Sequence, residues 1–378
     1  MRYVRVVTGL VVALGVAFSA TLWSQAPQGV RGVVVNPDGS VTIKDAAIPL
    51  PGLMSEGSKQ VLMRTRPTEG PGAPVPVPSG IADMAEVRRV YNENLKPNVD
   101  HMRALFPVDI EETTINGIPA AIVTPKGGVP EKNKNRLFLN GPGGGFRTGV
   151  RGNGLLISIP VAATLGVKVV TITYRQGPEY RYPAASEDLL KVWDHFTKTY
   201  APKNIGMVGC SAGGSLITHT TAMLLKQGRP TPGVLGVYCA GLGSSGRGDS
   251  NFMSAMAVTS ASLGLTQGGP APGAAPAPAA PAGMSYMEGT DPKDFAVNPT
   301  VDEKLLAKWP PTIFFTATRD FAASGAQYSY LKLIKVGVDS QLMVFDGLYH
   351  GFMTNPDFPE AQDGYKIAAA FFDKHLGK

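Results

Sequence analysis

Residues 205–214 read IGMVGCSAGG, and this stretch decides the fold. Its first part is an apolar, strand-like run, and the pattern G-x-S-x-G follows at 209–213, ahead of a helical segment. A sharp turn from strand to helix holds the residue at the middle of the turn at a strained backbone angle. Glycine on both sides of that residue removes Cβ atoms that would collide. Ser211 is therefore predicted to project its hydroxyl above a sheet, beside a helix N-terminus that favours negative charge.

The sequence around this turn alternates between strand-like and helical runs. Several strand-like runs are continuous and β-branched, as in strands that are buried on both faces of a parallel sheet. The predicted strands are Ile118–Thr124, Arg136–Asn140, Val167–Tyr174, Asn204–Val208, Val234–Tyr238, Thr312–Thr316 and Gln341–Phe345. The predicted helices are Ile81–Leu95, Ala184–Tyr200, Gly214–Gln227, Ala322–Val336 and Asp363–His375, with Pro97 expected to stop the first. This alternation predicts a doubly wound, mostly parallel α/β sheet.

A second glycine-rich turn follows the predicted strand 136–140. Residues 140–146 read NGPGGGF, and three glycines let the backbone approach a substrate closely. An acyl-transfer enzyme needs backbone N–H donors where a carbonyl oxygen becomes negative. A phosphate site is a poorer interpretation, because no Lys-Ser/Thr follows and the G-x-G-x-x-G spacing matches badly. A bare turn remains an alternative here, as does an idle serine at the 209–213 turn.

A serine nucleophile needs a base, and the order nucleophile, acid, histidine places that base near the C-terminus. The chain has five histidines. Four of them are unsuited to be the base. His101 precedes the serine turn, and the other three fall in predicted helices: His195, His219 and His375. His375, in the last helix, is expected at the surface. His350 remains, in a loop after the strand 341–345, where a general base is required.

Two carboxylates compete for the role of the acid. Asp320 follows the strand 312–316 and can be presented to His350 from a neighbouring strand end, so it is preferred. Asp346 lies in the loop just before His350 and is expected to cap a turn instead. Glu187 and Asp188 begin a helix and are interpreted as structural charges.

The N-terminal part of the chain has a different composition. Arg2 and Arg5 precede an apolar run, and Ser24-Gln25-Ala26 follows, which is the pattern of a secretory signal peptide over 1–26 with cleavage after Ala26. We therefore expect a periplasmic or secreted protein, with no stable membrane insertion after cleavage; the alternative is an uncleaved anchor.

Residues 27–80 are predicted to form an extended arm, with a short hairpin at 33–43 and a Pro-rich stretch at 67–80. A tract of Pro and Ala at 266–283 is expected to be a flexible insertion.

Composition excludes several classes of protein. With 378 residues, of which 43% are apolar, the chain is too long and too apolar to be disordered. Its formal charge of +6 comes from scattered residues rather than basic runs, so no nucleic-acid partner is predicted. Two cysteines rule out a disulfide-stapled scaffold and a cysteine-based zinc cage. Cys210 and Cys239 are expected to be buried thiols, with a disulfide left open. No metal or organic cofactor is suggested.

Four blocks, in order, resemble the hormone-sensitive-lipase-like esterases of the α/β-hydrolase fold. They are the three glycines with Phe at 143–146, the Tyr-Arg…Pro-Glu…Tyr-Pro-Ala-Ala…Glu-Asp block at 174–188, the turn at 209–214, and Pro310–Asp320 with His350-Gly351-Phe352. The resemblance covers roughly residues 80–378 without the Pro/Ala tract. Two positions depart from the family pattern: Pro142 replaces a histidine, and Thr173 replaces an acidic residue.

This resemblance implies an eight-stranded, mostly parallel sheet with a small helical cap, formed by elements within about 81–107 and 245–300 of a hydrolase domain at 81–378. It implies that Ser211 is the nucleophile, Asp320 the acid and His350 the base. It also implies that the amides of Gly144, Gly145 and Ala212 line an oxyanion hole.

The leading functional hypothesis is an exported serine hydrolase of short- to medium-chain carboxylic esters that acts through an acyl-enzyme. A serine peptidase or amidase is the second hypothesis, since the same three residues serve both reactions. The third is a non-catalytic protein that binds a small molecule on a hydrolase scaffold. The expected partner is a small ester substrate, and the oligomeric state is left open.

Overall fold

The structure is a computed structural model that describes residues 33–37, 41–43, 50–64, 83–243, 248–253 and 286–377. Contacts divide the chain into two units, Met1–Leu50 and Pro51–Lys378. The predicted signal peptide (1–26), Pro-rich stretch (67–80) and Pro/Ala tract (266–283) lie outside the described residues. They stay predictions, as does the cap role of 81–107 and 245–300.

The first unit contains the predicted hairpin. Strand β1 (Val33–Val35) pairs antiparallel with β2 (Val41–Ile43), with Val34 opposite Thr42. Short β-branched strands on either side of a Pro-containing turn account for this pairing.

The second unit is built on one eight-stranded sheet. Its strands run in the order β10-β9-β8-β7-β5-β6-β4-β3, and the six from β5 to β10 run parallel to one another. Only β4 runs antiparallel to both of the strands beside it. The strands are β3 (Val108–Ile115), β4 (Ile118–Pro125), β5 (Leu137–Gly141), β6 (Lys168–Ile172), β7 (Ile205–Cys210), β8 (Val234–Tyr238), β9 (Thr312–Arg319) and β10 (Ser340–Tyr349). The predicted doubly wound, mostly parallel eight-stranded sheet is confirmed.

Helices cover both faces of this sheet. The longer ones are Glu56–Arg64, Met84–Asn94, Lys96–Leu105, Arg151–Leu165, Ala184–Phe196, Ala212–Lys226, Ala323–Lys335 and Pro359–His375, and two short ones are Ser250–Met253 and Glu303–Leu306. Every residue of β5, β7 and β8 is buried, which explains their continuous apolar sequence. Side chains of β5 alternate between two apolar layers: Phe138 packs on Phe372 in one layer, and Leu139 lies in the other.

Three of the longer helices and one strand differ from the sequence-based predictions. The helix Glu56–Arg64 lies within residues 27–80, which were predicted to be extended, and its Val61 is buried in the core. Pro97 does not end the helical region: the helix Met84–Asn94 ends just before it, and Lys96–Leu105 begins with Pro97 in its first turn, where a missing N–H costs no hydrogen bond. The helix Arg151–Leu165 was not predicted, because it is apolar on almost every side and has no helical period. Strand β3 was not predicted either, since its outer positions are polar and exposed.

The prediction for His375 was wrong. Its side chain is only 11% exposed and lies against the Phe371 ring, with the centroids 4.4 Å apart. The last helix packs on the sheet, so its final turn is partly covered. Among the described residues, no helix combines the length and apolar character needed to cross a bilayer.

Candidate active site

Ser211 lies at the turn between β7 and the helix Ala212–Lys226, at the carboxyl ends of the parallel strands. Its backbone has φ +59° and ψ −125°, and its N–H donates to the Tyr238 carbonyl at 2.8 Å. Glycine at 213 is a steric requirement, because a Cβ there would lie 1.9 Å from the Gly141 oxygen. The strained conformation is therefore held by close packing of the turn on β5, and it presents the hydroxyl at the sheet edge.

His350 joins Ser211 to Asp320. Its Nε2 lies 2.8 Å from Ser211 Oγ, and its Nδ1 lies 2.7 Å from Asp320 Oδ1. The Phe321 ring stacks on the imidazole, with centroids 4.1 Å apart and planes inclined by 24°. These three side chains come from the ends of β7, β9 and β10, as the strand-end argument predicts. The geometry suits transfer of the serine proton to Nε2, with Nδ1–H held by the carboxylate.

Asp320 is fully buried but well supplied with donors. The Ala322 amide donates to its Oδ1 at 2.9 Å, and the Thr316 hydroxyl donates to its Oδ2 at 2.8 Å. Burial alone would raise the pKa of Asp320, but His350 and these donors outweigh it, so the pKa lies below the ordinary value. Burial likewise opposes protonation of His350, but the Asp320 carboxylate raises the pKa of the imidazole above its ordinary value.

Asp346 does not contact His350 through any hydrogen bond that the structure gives. Asp346 lies within β10, where the pairing with β9 changes register between Phe345 and Tyr349, and its carboxylate accepts from the Thr318 hydroxyl at 3.1 Å. The prediction that Asp346 lies in a loop and caps a turn was therefore wrong, because β10 extends beyond the predicted end at Phe345.

The loop after β5 passes close to Ser211, since a Cβ on Gly143 would lie 3.5 Å from the Ser211 Cβ. Gly144 has φ +120°, and a Cβ there would lie 2.5 Å from the Thr148 carbonyl group, so no other residue fits. Within the described residues, the structure gives the amide N–H groups of Gly144, Gly145 and Ala212 no hydrogen-bond acceptor. These are the three amides that the family resemblance implies as oxyanion-hole donors, and that role stays a prediction.

Side chains that the sequence reasoning did not identify hold this loop. The Tyr174 hydroxyl donates to the Pro142 carbonyl at 2.8 Å, so the loop is anchored through the backbone of the residue that replaces the family histidine. Gln176 makes two bonds to Gly149: its Oε1 accepts from the amide at 2.7 Å, and its Nε2 donates to the carbonyl at 3.0 Å. Their position just after β6, the neighbour of β5, is the signal that could have found them.

Asn140 secures the base of the same loop from within the core. Its Nδ2 donates to the Gly154 carbonyl at 2.8 Å and lies 2.9 Å from Ser158 Oγ and 3.0 Å from Thr171 Oγ1. The end of β5 is therefore tied both to β6 and to the helix Arg151–Leu165 that follows the loop.

Arg88 ties the loops at 146–149 and 174–180 together, and Arg175 ties the second loop to the helix Ala184–Phe196. Arg88 donates to the carbonyls of Arg147 and Gly177 at 2.9 and 2.7 Å and forms a bidentate pair with Glu179. Arg175 is held by the buried Asp188, which accepts from both its amide and its guanidinium. Asp188 has the structural role predicted for it.

Cys210 and Cys239 are free and buried, as expected of small core thiols. A hydrogen bond between the two thiols lowers the pKa of Cys210 and, together with burial, raises the pKa of Cys239 well above its ordinary value. The Gly351 amide also donates to Cys239 Sγ at 3.1 Å. Cys239 thus lies directly behind His350.

The remaining histidines stand outside this arrangement. His101 pairs with Asp357 at the surface, and His195 is exposed. His219 is buried on the helix that follows Ser211, stacked near Phe146 and edge-on to Tyr182. Burial lowers the pKa of His219 to about 4, although the Val297 backbone acts in the opposite direction.

We expect His219 to make the fold sensitive to mild acid. Below the ordinary histidine pKa of about 6.5, His219 binds a proton in the unfolded chain but stays neutral in the folded chain. The free energy of unfolding therefore falls as the pH drops from about 6.5 to about 4. The loss between pH 7 and pH 5 is about 2 kcal/mol, read from urea unfolding at the two pH values. His219→Phe, which keeps an aromatic ring and cannot titrate, should remove that part of the loss.

His195→Phe is the matched control, since it replaces an exposed histidine with the same residue. It should lose stability with falling pH just as the unaltered chain does. An unchanged acid loss in His219→Phe would contradict the assignment.

Comparisons with known proteins agree with this geometry. A family model described as "alpha/beta hydrolase fold" matches residues 142–354. Arylacetamide deacetylase from Oryctolagus cuniculus is 29% identical over 127 residues, which is 32% of this chain and 32% of that protein. The chain therefore aligns with about a third of the length of this curated relative.

Two solved structures resemble the chain over most of its length. The esterase E25 superimposes with a TM-score of 0.71 at 26% identity and covers 89% of this chain and 99% of its own. An esterase from the bacterial hormone-sensitive lipase family has a TM-score of 0.61 at 22% identity, covering 78% of this chain and 92% of its own, and that likeness concerns the fold alone. The α/β-hydrolase fold predicted from the four sequence blocks is confirmed.

Proposed function

The chain belongs to the α/β-hydrolase fold family, and from this premise we propose that it is a serine carboxylic-ester hydrolase. The observation that carries the proposal is the chain of hydrogen bonds from Ser211 Oγ through His350 to Asp320, at 2.8 and 2.7 Å. A buried carboxylate, an imidazole and a strained serine in this order are the parts that nucleophilic acyl transfer requires. The solved esterase E25 supports an ester substrate. The name arylacetamide deacetylase denotes an amide substrate for that relative, so the amidase alternative is tested alongside.

In the proposed reaction, Ser211 Oγ attacks the ester carbonyl while its proton passes to His350 Nε2. The carbonyl oxygen becomes negative and accepts hydrogen bonds from the amides of Gly144, Gly145 and Ala212. The imidazolium, stabilised by Asp320, returns its proton to the leaving alkoxide, and the alcohol departs from an acyl-serine. Water then gives a proton to Nε2 and attacks the acyl group, which releases the acid and restores the serine.

We further propose that the substrates carry short to medium acyl chains and that the protein is exported. The acyl preference rests on the family resemblance. Export rests on the charge and apolar pattern of residues 1–26, which ends in Ser24-Gln25-Ala26.

Two assays on the full chain test the proposed activity. p-Nitrophenyl esters from acetate to laurate should be hydrolysed with the highest kcat/KM between acetate and hexanoate, and the matching p-nitroanilides should be cleaved at least about 100-fold more slowly. A fluorophosphonate probe should label Ser211, because it reacts only with an activated serine hydroxyl.

Each alternative function predicts a different pattern in these assays. Faster cleavage of anilides than of esters would favour a peptidase or amidase. A folded protein that neither turns over esters nor reacts with the probe would favour a binding protein on a hydrolase scaffold. Equal rates on laurate and acetate would overturn the chain-length proposal alone.

A further inference from the structure

Cys239 is a buried nucleophilic group that the proposed reaction does not use. Its Sγ, a carboxylate oxygen of Asp320 and a ring nitrogen of His350 all lie within 4.8 Å of one another. The backbone of Cys239 is fixed by an N–H donated to the Phe315 carbonyl at 2.7 Å. Thiol, carboxylate and imidazole therefore converge on one point behind the catalytic histidine.

These three donors match the preference of a soft or borderline divalent cation. Zn²⁺ and Cd²⁺ bind thiolate and imidazole, and a carboxylate completes mixed sites, whereas Mg²⁺ prefers all-oxygen octahedra. Around tetrahedral zinc, neighbouring ligand atoms lie about 3.3–3.7 Å apart. The 2.7 Å pair of His350 Nδ1 and Asp320 Oδ1 would have to part by less than about 1 Å, and Cys239 Sγ, which lies within 4.8 Å of the other donors, would close in by up to about 1.3 Å.

We propose that Cys239, Asp320 and His350 form an inhibitory site for a soft divalent cation such as Zn²⁺ or Cd²⁺. The cation is an inhibitor here and not a resident cofactor, and a water molecule takes the fourth position. The proposal rests on the proposed function only for its effect on turnover, since cation binding is separable from catalysis.

Balanced charge favours cation binding at this buried point, and it must outweigh the contact with the Cys210 thiol and the burial that raise the pKa of Cys239 and so oppose loss of its proton. One thiolate and one carboxylate balance the two positive charges, and the neutral imidazole adds none, so the filled site carries no net charge. The Gly351 N–H, 3.1 Å from Cys239 Sγ, stabilises the thiolate when the cation displaces its proton to solvent. Of the three donors, His350 is the most exposed, at 8% against 1% for Cys239.

The proton on His350 explains why binding there would stop turnover. A cation on Nδ1 displaces the proton that this nitrogen donates to Asp320, and the neutral ring then carries its proton on Nε2. Nε2 is the atom that faces Ser211 Oγ at 2.8 Å. A protonated Nε2 cannot accept the serine proton, so the nucleophile is no longer activated.

Direct binding is tested with Cd²⁺ on the full-length Ser211→Ala protein, which reports no turnover. We expect an ultraviolet sulfur-to-cadmium charge-transfer band that saturates at one equivalent per chain. Adding Cys239→Ala should abolish the band, and adding Cys210→Ala should leave it, because Cys210 is the other buried thiol but not one of the three donors. A missing band, or one lost with Cys210→Ala instead, overturns the proposal whether or not the chain is an esterase.

Inhibition is tested on active protein, with each variant compared with its own cation-free rate. The Zn²⁺ concentration that halves ester hydrolysis should rise at least about tenfold in Cys239→Ala relative to Cys210→Ala, and a chelator should restore the rate. Mg²⁺ at the same concentrations should not inhibit. If Cys239→Ala fails to fold, Cys239→Ser keeps the side-chain size and removes the soft ligand. Equal Zn²⁺ sensitivity of the Cys239 and Cys210 variants would refute the site.

Discussion

Replacing Ser211 with alanine should lower kcat/KM for p-nitrophenyl butyrate by about 10⁴- to 10⁶-fold while the protein stays folded. The expected effect is large because the variant loses the atom that forms the acyl-enzyme, and the amide donors and substrate binding alone leave only a small residual rate. Steady-state kinetics at pH 8 and circular dichroism measure the two quantities. Binding of a product acid should be retained, since no binding group is removed.

Ser340→Ala is the control for this experiment. Ser340 begins β10, so it lies at the amino end of the parallel strands, opposite the proposed active site. Its replacement should leave kcat/KM within about twofold. If Ser211→Ala kept more than about a hundredth of the activity, another nucleophile would have to carry the reaction.

Asp320→Asn should lower kcat/KM by about 10⁴-fold near neutral pH. An amide in this position can donate a hydrogen bond to Nδ1 and so favours the ring proton on Nε2, where it blocks proton acceptance from Ser211. The pH profile carries a second signature. The base must be neutral, so activity falls as the pH drops through the pKa of His350, which Asp320 holds above its ordinary value. Removing the carboxylate charge lowers that pKa, and the acid limb of the profile should move to lower pH.

Asp346→Asn is the matched control, because Asp346 is the other carboxylate near His350 in sequence. Its bond from Thr318 at 3.1 Å can be accepted by an asparagine oxygen, so the variant should keep activity within about tenfold and an unshifted acid limb. If Asp346→Asn lowered kcat/KM more than Asp320→Asn did, Asp346 and not Asp320 would be the acid that supports His350.

Elements with a strong local pattern were predictable. Strand β8 has the predicted bounds, Val234–Tyr238, because its continuous apolar run is too short to form a helix. The helix Arg151–Leu165 escaped prediction because burial on nearly all sides erases the period from which a helix is recognised. The restart of the helix at Lys96 was missed because Pro97 is compatible with a first turn as well as with a stop.

Within the proposed site, the turn and the order of residues were readable, but the supports were not. Ser211 and the adjacent glycines reveal themselves because a sharp turn restricts residue type locally. Tyr174, Gln176 and Arg88 form no recognisable spacing pattern, since each bonds a backbone group far away in the chain. The only local signal is the position of Tyr174 and Gln176 just after β6. Cys239 likewise showed only as a thiol at the end of an apolar run.

By itself, the order of amino acids determined a parallel sheet, a serine at a strained turn, and a histidine and an aspartate after later strands. It could do so because backbone geometry and hydrophobic burial act over a few residues and leave a repeating local pattern. Only the tertiary structure decided that Asp320 and not Asp346 bonds His350, that Tyr174 and Gln176 hold the glycine loop, and that Cys239 lies behind the imidazole. Those contacts join strand ends and loops distant in the chain, and distances between them are set by packing of the whole sheet.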